Sequence, residues 1–324
     1  MKEERDPGKK QPLVFDGVRD VYANNVHQEL ELMSALRKSF NFVIIDTEFP
    51  GFLRSTPRGA SEEEIYSALK YNVDNMKLVQ LGITLSNGKI SLAWQFNLKD
   101  FDHEADNRSE DSIELLKRSG IDFDKNRKYG ISADVLSIGL TEKLIAGCEG
   151  LKWITFHGLY DLAYLIKLVY KMPLPETLAG FLGLVRILFG PMVYDVKYMA
   201  KRCSAYFAEV GLVKLSKMLG INWRGKPHQA GHDSLLTAKV FWEMMNKFDG
   251  FKEDEHAGIL YGFEENARKE LENPQMSYYP IVPDLMNLSP NYASYDYFYA
   301  FPVAYNPLAN GYWVVHEPYY YVRA

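Results

Sequence analysis

The sequence predicts an α/β fold in which a mixed sheet is covered by helices, and three observations support this prediction. Short apolar runs that are typical of buried strands come first, and later strands alternate with helical patterns. The pair Asn87-Gly88 lies between two β-type segments, 78–85 and 90–96, and predicts a tight antiparallel hairpin. A chain of 324 residues that is 47% apolar is also long enough to bury one large core.

The first third of the chain is predicted to hold a helix followed by three strands. The helix follows Asn24 or Asn25, and Val26 and Leu30 begin its apolar repeat. The run 42–45 is apolar, as expected for a strand that is buried on both faces, and Pro50-Gly51 marks the end of this strand. The acidic triplet 62–64 predicts the first turn of a further helix.

Helical patterns dominate the middle of the chain. The apolar stretch 177–194 is interrupted by Gly190-Pro191, whereas a membrane-spanning helix needs about 20 continuous apolar residues. We therefore expect a buried helix and a short strand there, and no membrane association. The predicted helices are 111–119, 133–146 (closed by Gly147), 161–169, 178–189, 212–219 and 233–248, and the strands between them are 153–156 and 192–194.

Composition limits the possible classes of function and defines three regions. A net charge of −5 argues against a protein that coats nucleic acid by bulk charge, and two cysteines build neither a disulfide framework nor a zinc site. Residues 1–12 are expected to be a flexible leader and 13–262 a single folded domain. Residues 263–324 are expected to be a charged helix and then a disordered tail, since eleven of the 22 tyrosines lie after residue 272.

Acidic side chains stand where strands end and helices begin. Asp46 and Glu48 are two residues apart on a strand, so both side chains leave on the same face. Asp161 follows the strand 153–156, and Asp233 begins a helix five residues after His228. Four carboxylates in one cleft need counter-charge, and oxygen ligands favour Mg²⁺ or Mn²⁺ over zinc.

Several of these features also have plain structural explanations. An acid at the start of a helix is more often a cap than a metal ligand. Phe49 and Phe52 are expected to pack in the core rather than stack on a nucleobase, and His157 is expected to be a hydrogen-bonded core residue. A solvated helix face explains three neighbouring cations as well as phosphate contact does: Lys197, Lys201 and Arg202.

The ordered set of acids with its histidine resembles the histidine-bearing subgroup of the DEDD superfamily of 3′→5′ exonucleases. The surrounding residues, from about 15 to 263, are similar to the Caf-one (Pop-two) poly(A) deadenylases, which are catalytic subunits of the Ccr-four–Not complex. The segments that carry this resemblance are Ile45-Asp46-Thr47-Glu48-Phe49-Pro50-Gly51, Phe156-His157, Tyr160-Asp161, Tyr194-Asp195-Val196-Lys197-Tyr198, His228-Gln229-Ala230-Gly231 and Asp233-Ser234-Leu235-Leu236-Thr237, with weaker similarity at Gln80-Leu81-Gly82 and Trp94-Gln95-Phe96-Asn97.

The resemblance implies an RNase H-like fold and metal-dependent hydrolysis of RNA. The four acids would be the catalytic metal ligands and hold two divalent cations, Mg²⁺ or Mn²⁺, and His228 would be the general base. The protein would then be a 3′→5′ exoribonuclease that shortens messenger RNA poly(A) tails and releases 5′-AMP. Its implied partners are the RNA 3′ end, the large scaffold subunit of the complex and a second deadenylase, and its implied locations are cytoplasm and nucleus.

Two other functions remain open from the residues alone. The metal site does not select the sugar, so a general RNA or DNA 3′→5′ exonuclease is possible on the same fold. A third hypothesis is a catalytically weak scaffold subunit, and the presence of all four site acids and of His228 disfavours it.

The sequence departs from the family pattern at two places. Gly158-Leu159 replaces the usual Ser-Gly, and His232 replaces the serine before the last acid. We expect a leucine beside the cleft to alter substrate fit, and His232 either to perturb the neighbouring carboxylate or to compete with His228 for the role of base.

Overall fold

The computed structural model describes residues 17–146, 150–248 and 253–272, together with two short paired strands, Val303–Ala304 and Val314–Val315. A six-stranded sheet forms the centre of the fold, in the spatial order β1-β4-β3-β2-β5-β6. Its strands are β1 (Val18–Val21), β2 (Phe42–Glu48), β3 (Gln80–Ser86), β4 (Ser91–Asn97), β5 (Lys152–Thr155) and β6 (Val193–Asp195).

The sheet is mixed, and its pairing determines which side chains share an edge. β3 is antiparallel to β2, and it is also antiparallel to β4, to which the predicted hairpin joins it, whereas β2, β5 and β6 run parallel to one another. The carboxyl ends of these three parallel strands therefore meet at one edge. Asp46 pairs with Gly82 and Glu48 with Gln80 across β2 and β3, so the start of β3 lies at the same edge.

Helices cover both faces of the sheet and bury two main apolar clusters. Val43 and Ile45 of β2 face the larger cluster, and Phe42 and Ile44 face the other, because alternate strand residues point to opposite sides. The α-helices are α1 (Val26–Leu36), α2 (Glu62–Asn75), α3 (Glu110–Arg118), α4 (Phe123–Tyr129), α5 (Ala133–Leu140), α6 (Leu159–Tyr170), α7 (Leu178–Phe189), α8 (Val196–Cys203), α9 (Leu212–Met218), α10 (Ala230–Lys247) and α11 (Glu264–Glu272).

The α/β fold with a mixed, helix-covered sheet is confirmed, with local corrections. The expectation that a helix opens the first third is wrong, because β1 precedes α1, and α4 was not predicted. Both elements are short and rich in charged or polar residues, so their periodicity is weak. The helix predicted to run to residue 146 ends as α5 at Leu140 and continues as a π-helical turn, Thr141–Ile145.

The regions predicted around the domain are only partly within the described residues. Residues 1–12, Gly147 and the Tyr-rich tail lie outside them, apart from the two short strands. The charged helix forms as α11 and packs on α7, and Phe263 just before it is buried in the larger cluster. Within the described part of the chain, the helices all fall short of the length and apolar character that crossing a membrane requires.

α10 lies very close to the sheet at its first turn, where two glycines allow the contact. A Cβ added at Gly82 would lie 1.9 Å from the backbone carbonyl oxygen of Ala230. A Cβ at Gly231 would lie 2.6 Å from Cγ1 of Val18. The start of α10 can therefore rest directly on β3, beside the strand that carries Asp46 and Glu48.

We expect Gly82→Ala to destabilise the protein by about 3 kcal/mol, because the new methyl group meets backbone rather than a movable side chain. Chemical denaturation measures this loss. Gly211→Ala is the control, since a Cβ there would have no heavy atom within 4 Å. Equal stability of the two variants would mean that α10 does not need this close approach.

Candidate active site

The first two acids lie at the end of β2, on the face that α10 covers. Glu48 is buried, with 9% of its surface exposed, and Asp46 is half-buried. Their strand positions follow from the apolar run before them, which anchors β2 between the two clusters. The pair therefore projects from a rigid strand rather than from a loop.

α6 supplies the third acid. Asp161 lies in the first turn of this helix and is buried, and Thr47 anchors it by donating its Oγ1 hydrogen to Oδ1 of Asp161 at 2.5 Å. The side chain of Thr47 points to the opposite face of the sheet from Asp46 and Glu48. This hydrogen bond therefore holds the start of α6 against the carboxyl end of β2.

A buried aspartate that sequence reasoning did not assign to the site, Asp195, fixes the turn before α6. Its Oδ1 accepts hydrogen bonds from the backbone N–H groups of His157 at 2.8 Å and Lys197 at 2.9 Å. Its Oδ2 accepts from those of Gly158 at 3.3 Å and Tyr261 at 3.1 Å. Asp195 thus joins the ends of β5 and β6 at the edge where Asp161 lies.

α10 and the loop before it supply the last acid and the histidine. His228 has a φ of 58°, in the left-handed region, and its backbone N–H donates to Oδ2 of Asp233 at 2.8 Å. One possible ligand atom from each of Glu48, His228 and Asp233 lies within 4.8 Å of the others. The imidazole of His228 is exposed at the rim of the cleft.

Burial and mutual repulsion control the charge of these acids. Burial, followed by the charges of Asp161, Asp233 and Glu48, holds the pKa of Asp46 well above its usual range. Burial and the charges of Asp233 and Asp161 raise the pKa of Glu48 in the same way. Burial raises the pKa of Asp161 to about 7 and that of Asp233 to about 6. All four predicted acids are therefore near enough to one another to need counter-charge.

The residues present fit divalent metal ions. Oδ1 of Asp233 is buried without a hydrogen-bond partner among the described residues, which is costly unless a cation takes its lone pairs. The donors are carboxylate oxygens and one imidazole, with no thiolate in the group. This donor set suits Mg²⁺ or Mn²⁺, as predicted.

The two positions that depart from the family pattern are packed against neighbouring side chains. Leu159 is 3% exposed and belongs to the larger apolar cluster, so the expectation that it borders the substrate is wrong. A Cβ at position 158 would lie 2.1 Å from Cβ of Thr155, so glycine fits there. His232 packs edge-on against Trp223, with ring centroids 6.2 Å apart, and is not in the group of close ligand atoms.

Aromatic side chains beside the acids divide into packed and exposed ones. Phe49 stacks on both Tyr160 and Tyr164, with ring centroids 5.0 and 5.1 Å away, which confirms its packing role. Phe52 is 52% exposed, so the expectation that it packs in the core is wrong. Its ring lies roughly perpendicular to those of Phe49 and Tyr160, with centroids 5.5 and 5.1 Å apart.

His157 and the cations of α8 gather around one tyrosine. The ring of His157 is exposed and lies edge-on to Tyr261 at 5.0 Å, so it is not the core residue that was predicted. The ammonium groups of Lys197 and Lys201 lie over the same tyrosine, 4.7 and 5.4 Å from its centroid. Lys201 also pairs with Glu264 at 3.2 Å.

The model of the CAF1 family ribonuclease matches residues 21–132 and 140–241, which include all four acids and His228. The chain belongs to the CAF1 ribonuclease family. It is 39% identical over 258 residues to a probable CCR4-associated factor 1 homolog 7 of Arabidopsis thaliana, covering 76% of this chain and 92% of that one. It is 38% identical over 255 residues to the poly(A) ribonuclease pop2 of Schizosaccharomyces pombe, covering 76% and 74%.

Solved structures of CAF1 and Pop2 proteins share this fold. The structure of S. pombe Pop2p with Mg²⁺ and Mn²⁺ bound aligns with a TM-score of 0.70 at 36% identity, over 76% of this chain and 99% of that one. Yeast CAF1, co-crystallised with the NOT1 MIF4G domain, aligns with a TM-score of 0.64 at 28% identity, over 76% and 96%. The RNase H-like exonuclease fold implied by the sequence resemblance is thereby confirmed.

The raised carboxyl pKa values predict a pH-dependent stability of the metal-free protein. The folded chain holds protons that the unfolded chain gives up, so stability falls as pH rises from about 4, the ordinary value, towards the folded pKa of Asp161, about 7. In chelator at pH 8, Asp161→Asn should melt at least about 3 °C higher than wild type, because it removes one buried charge.

Excess Mn²⁺ should reverse this order, because wild type then gains ligand-binding stability that the variant lacks. Differential scanning calorimetry at pH 5 and pH 8 provides the measurement. A metal-free variant that melts below wild type at pH 8 would show that burying the ionised carboxylate of Asp161 does not destabilise the folded protein.

Proposed function

We propose that this chain is a 3′→5′ exoribonuclease that removes the poly(A) tail of messenger RNA and releases 5′-AMP. The observation that carries the proposal is the approach of Glu48, His228 and Asp233, whose possible ligand atoms lie within 4.8 Å of one another, in a chain of the CAF1 ribonuclease family. Burial and then the charges of Asp161 and Asp233 raise the pKa of Asp46, so these acids belong to the same cluster. The name of the S. pombe relative, poly(A) ribonuclease pop2, supports the choice of substrate.

The four carboxylates would hold two divalent cations. When bound, such a pair supplies positive charge to the attacking and leaving oxygens of an in-line displacement at phosphorus. The Mg²⁺ and Mn²⁺ in the S. pombe Pop2p structure support this choice of ions. The protein's own part is to hold the carboxylates in fixed positions on β2, α6 and α10.

His228 would act as the general base. Its ring is exposed at the rim while its backbone is tied to Asp233, so the imidazole can reach water next to the acids. It would accept a proton as the water oxygen bonds to phosphorus and the bond from phosphorus to the 3′ oxygen of the preceding nucleotide breaks. The terminal nucleotide leaves with the phosphate as 5′-AMP, and the shortened RNA keeps a 3′ hydroxyl after protonation by solvent.

We also propose that the chain works as a subunit of the Ccr-four–Not complex. The co-crystal of yeast CAF1 with the NOT1 MIF4G domain supports a scaffold of that type as partner. The second deadenylase and the locations in cytoplasm and nucleus are proposals that rest on the family resemblance.

The direct test compares oligoadenylate, oligouridylate and single-stranded DNA as substrates of the purified protein. We expect 5′-AMP release from oligoadenylate that stops in chelator and returns with Mg²⁺ or Mn²⁺. Asp46→Ala is expected to abolish it, because one proposed metal ligand is lost. Equal rates on all three polymers would favour a general exonuclease, and absence of turnover by wild type would favour a scaffold role.

The roles of the two histidines are separable by substitution. His228→Ala should lose about 10²–10⁴-fold in kcat, the usual contribution of a general base, whereas His232→Ala should retain activity because it packs on Trp223. Single-turnover rates at saturating Mn²⁺ measure both variants. A larger loss for His232→Ala than for His228→Ala would reverse the assignment.

A further inference from the structure

A network of buried side-chain amides lies on the sheet beneath the first turn of α10. Gln80 of β3, Gln95 and Asn97 of β4, and Gln229 before the helix are each no more than 5% exposed. Their sequence segments contributed to the family resemblance, yet the proposed chemistry gives them no part. Buried amides are costly unless each donor and acceptor is paired, so their arrangement is informative.

Side-chain oxygens of this network accept hydrogen bonds from backbone N–H groups at the start of α10. Gln229 caps this helix without a side-chain capping bond. Instead, Oε1 of Gln80 accepts from the N–H of Ala230 at 3.3 Å, and Oε1 of Gln95 accepts from the N–H of Gly231 at 3.2 Å. Two neighbouring strands therefore cap the helix from the sheet below.

The amide nitrogens of the same glutamines fix which way each side chain points. Nε2 of Gln95 donates to Oε1 of Gln229 at 2.8 Å and to Oδ1 of Asp20 at 3.1 Å. Nε2 of Gln80 donates to Oδ1 of Asn97 at 2.8 Å and to Gln229 Oε1 at 3.4 Å. Nε2 of Gln229 in turn donates to the carbonyl of Ser119 at 3.0 Å, so the orientation of the network is determined.

This network lies between the site acids of β2 and the site residues at the start of α10. Gln80 is the cross-strand partner of Glu48, and Gln229 directly follows His228. A shift of the first turn of α10 would change the distances from Asp233 and His228 to the two acids of β2. Metal and catalytic sites tolerate only about 0.5 Å of such error.

We propose that Gln80 and Gln95 are positioning residues that set the approach of α10 to β2 and thereby the affinity of the site for divalent cations. This inference rests on the proposed metal site but not on the identity of the RNA. The glutamines touch no reacting atom and act through the backbone of Ala230 and Gly231.

The test measures Mn²⁺ binding to the full chain by titration calorimetry. Gln80→Met and Gln95→Met keep the side-chain volume and remove the acceptor. We expect each to weaken Mn²⁺ binding about 10–100-fold, the usual effect of groups that orient metal ligands. With oligoadenylate at high Mn²⁺, kcat should fall and KM should stay at its wild-type value.

Ser86→Ala is the matched control, because it breaks a contact between the same helix and the same strand at the far end. There, Nε1 of Trp242 donates to Oγ of Ser86 at 3.0 Å. This variant should lose thermal stability while Mn²⁺ affinity stays at the wild-type value. A purely structural role of the glutamines predicts the same behaviour for all three variants.

Unchanged Mn²⁺ affinity in folded Gln80→Met and Gln95→Met would overturn the proposal. If these variants do not fold, Gln229→Met decides in the same assay, since it leaves both helix N–H acceptors in place and removes the group that orients them. Because calorimetry needs no substrate, failure of wild type to cut oligoadenylate would overturn the proposed function alone. Absence of Mn²⁺ binding by wild type would overturn the metal site itself.

Discussion

The structure is organised around the repulsion between carboxylates that the fold buries together at the end of one strand. Burial and neighbouring charge raise the pKa of Asp46 and Glu48, and burial raises that of Asp161 and Asp233. Such a cluster does not stabilise a folded protein on its own, so the surrounding fold has to hold it. The apolar strand β2 and the two helices packed on either side of it provide this support.

Two turns with related geometry deliver the acids that come from helices. His157 and His228 both have φ near 60°, a conformation that costs a non-glycine residue about 1–2 kcal/mol. In each turn, the backbone N–H donates to a buried aspartate, Asp195 in one and Asp233 in the other. The strained turn in each case precedes a helix whose first turn carries a site acid. Asp195 has no place in the proposed chemistry, but it holds one of these turns.

Much of the fold and the set of site acids could be predicted from sequence, because apolar periodicity and strand ends are local signals. The spacing of Asp46 and Glu48 on a strand indicates a shared face. The other two acids also lie at recognisable positions, Asp161 after the strand 153–156 and Asp233 at the start of the helix 233–248. β1 and α4 escaped prediction because short polar elements are stabilised by pairing and packing with distant segments. The exposure of Phe52 and the burial of Leu159 likewise depend on how α6 packs, which no local pattern reveals.

The cooperative features of the site were also beyond the sequence. The hydrogen bond from Thr47 to Asp161 spans 114 positions, and the contacts of Gln80 with the start of α10 span about 150. The sequence around a strand glutamine does not indicate which distant backbone N–H group will donate a hydrogen bond to its side chain. Segments with family resemblance pointed to these residues, but only the pairing of β3 with β2 explains why they lie beside Glu48.

In this account of the site, the buried, mutually repelling carboxylates hold protons that divalent cations displace. The most direct measurement is the number of protons released when Mn²⁺ binds, obtained by calorimetry at pH 6.5 in buffers that differ in ionisation enthalpy. Because the pKa of Asp161 is about 7, and burial and neighbouring charge raise those of Asp46 and Glu48, protons should leave the protein as Mn²⁺ binds. Mn²⁺ binding without proton release would contradict the account, since it would mean that the carboxylates were already ionised before the metal arrived.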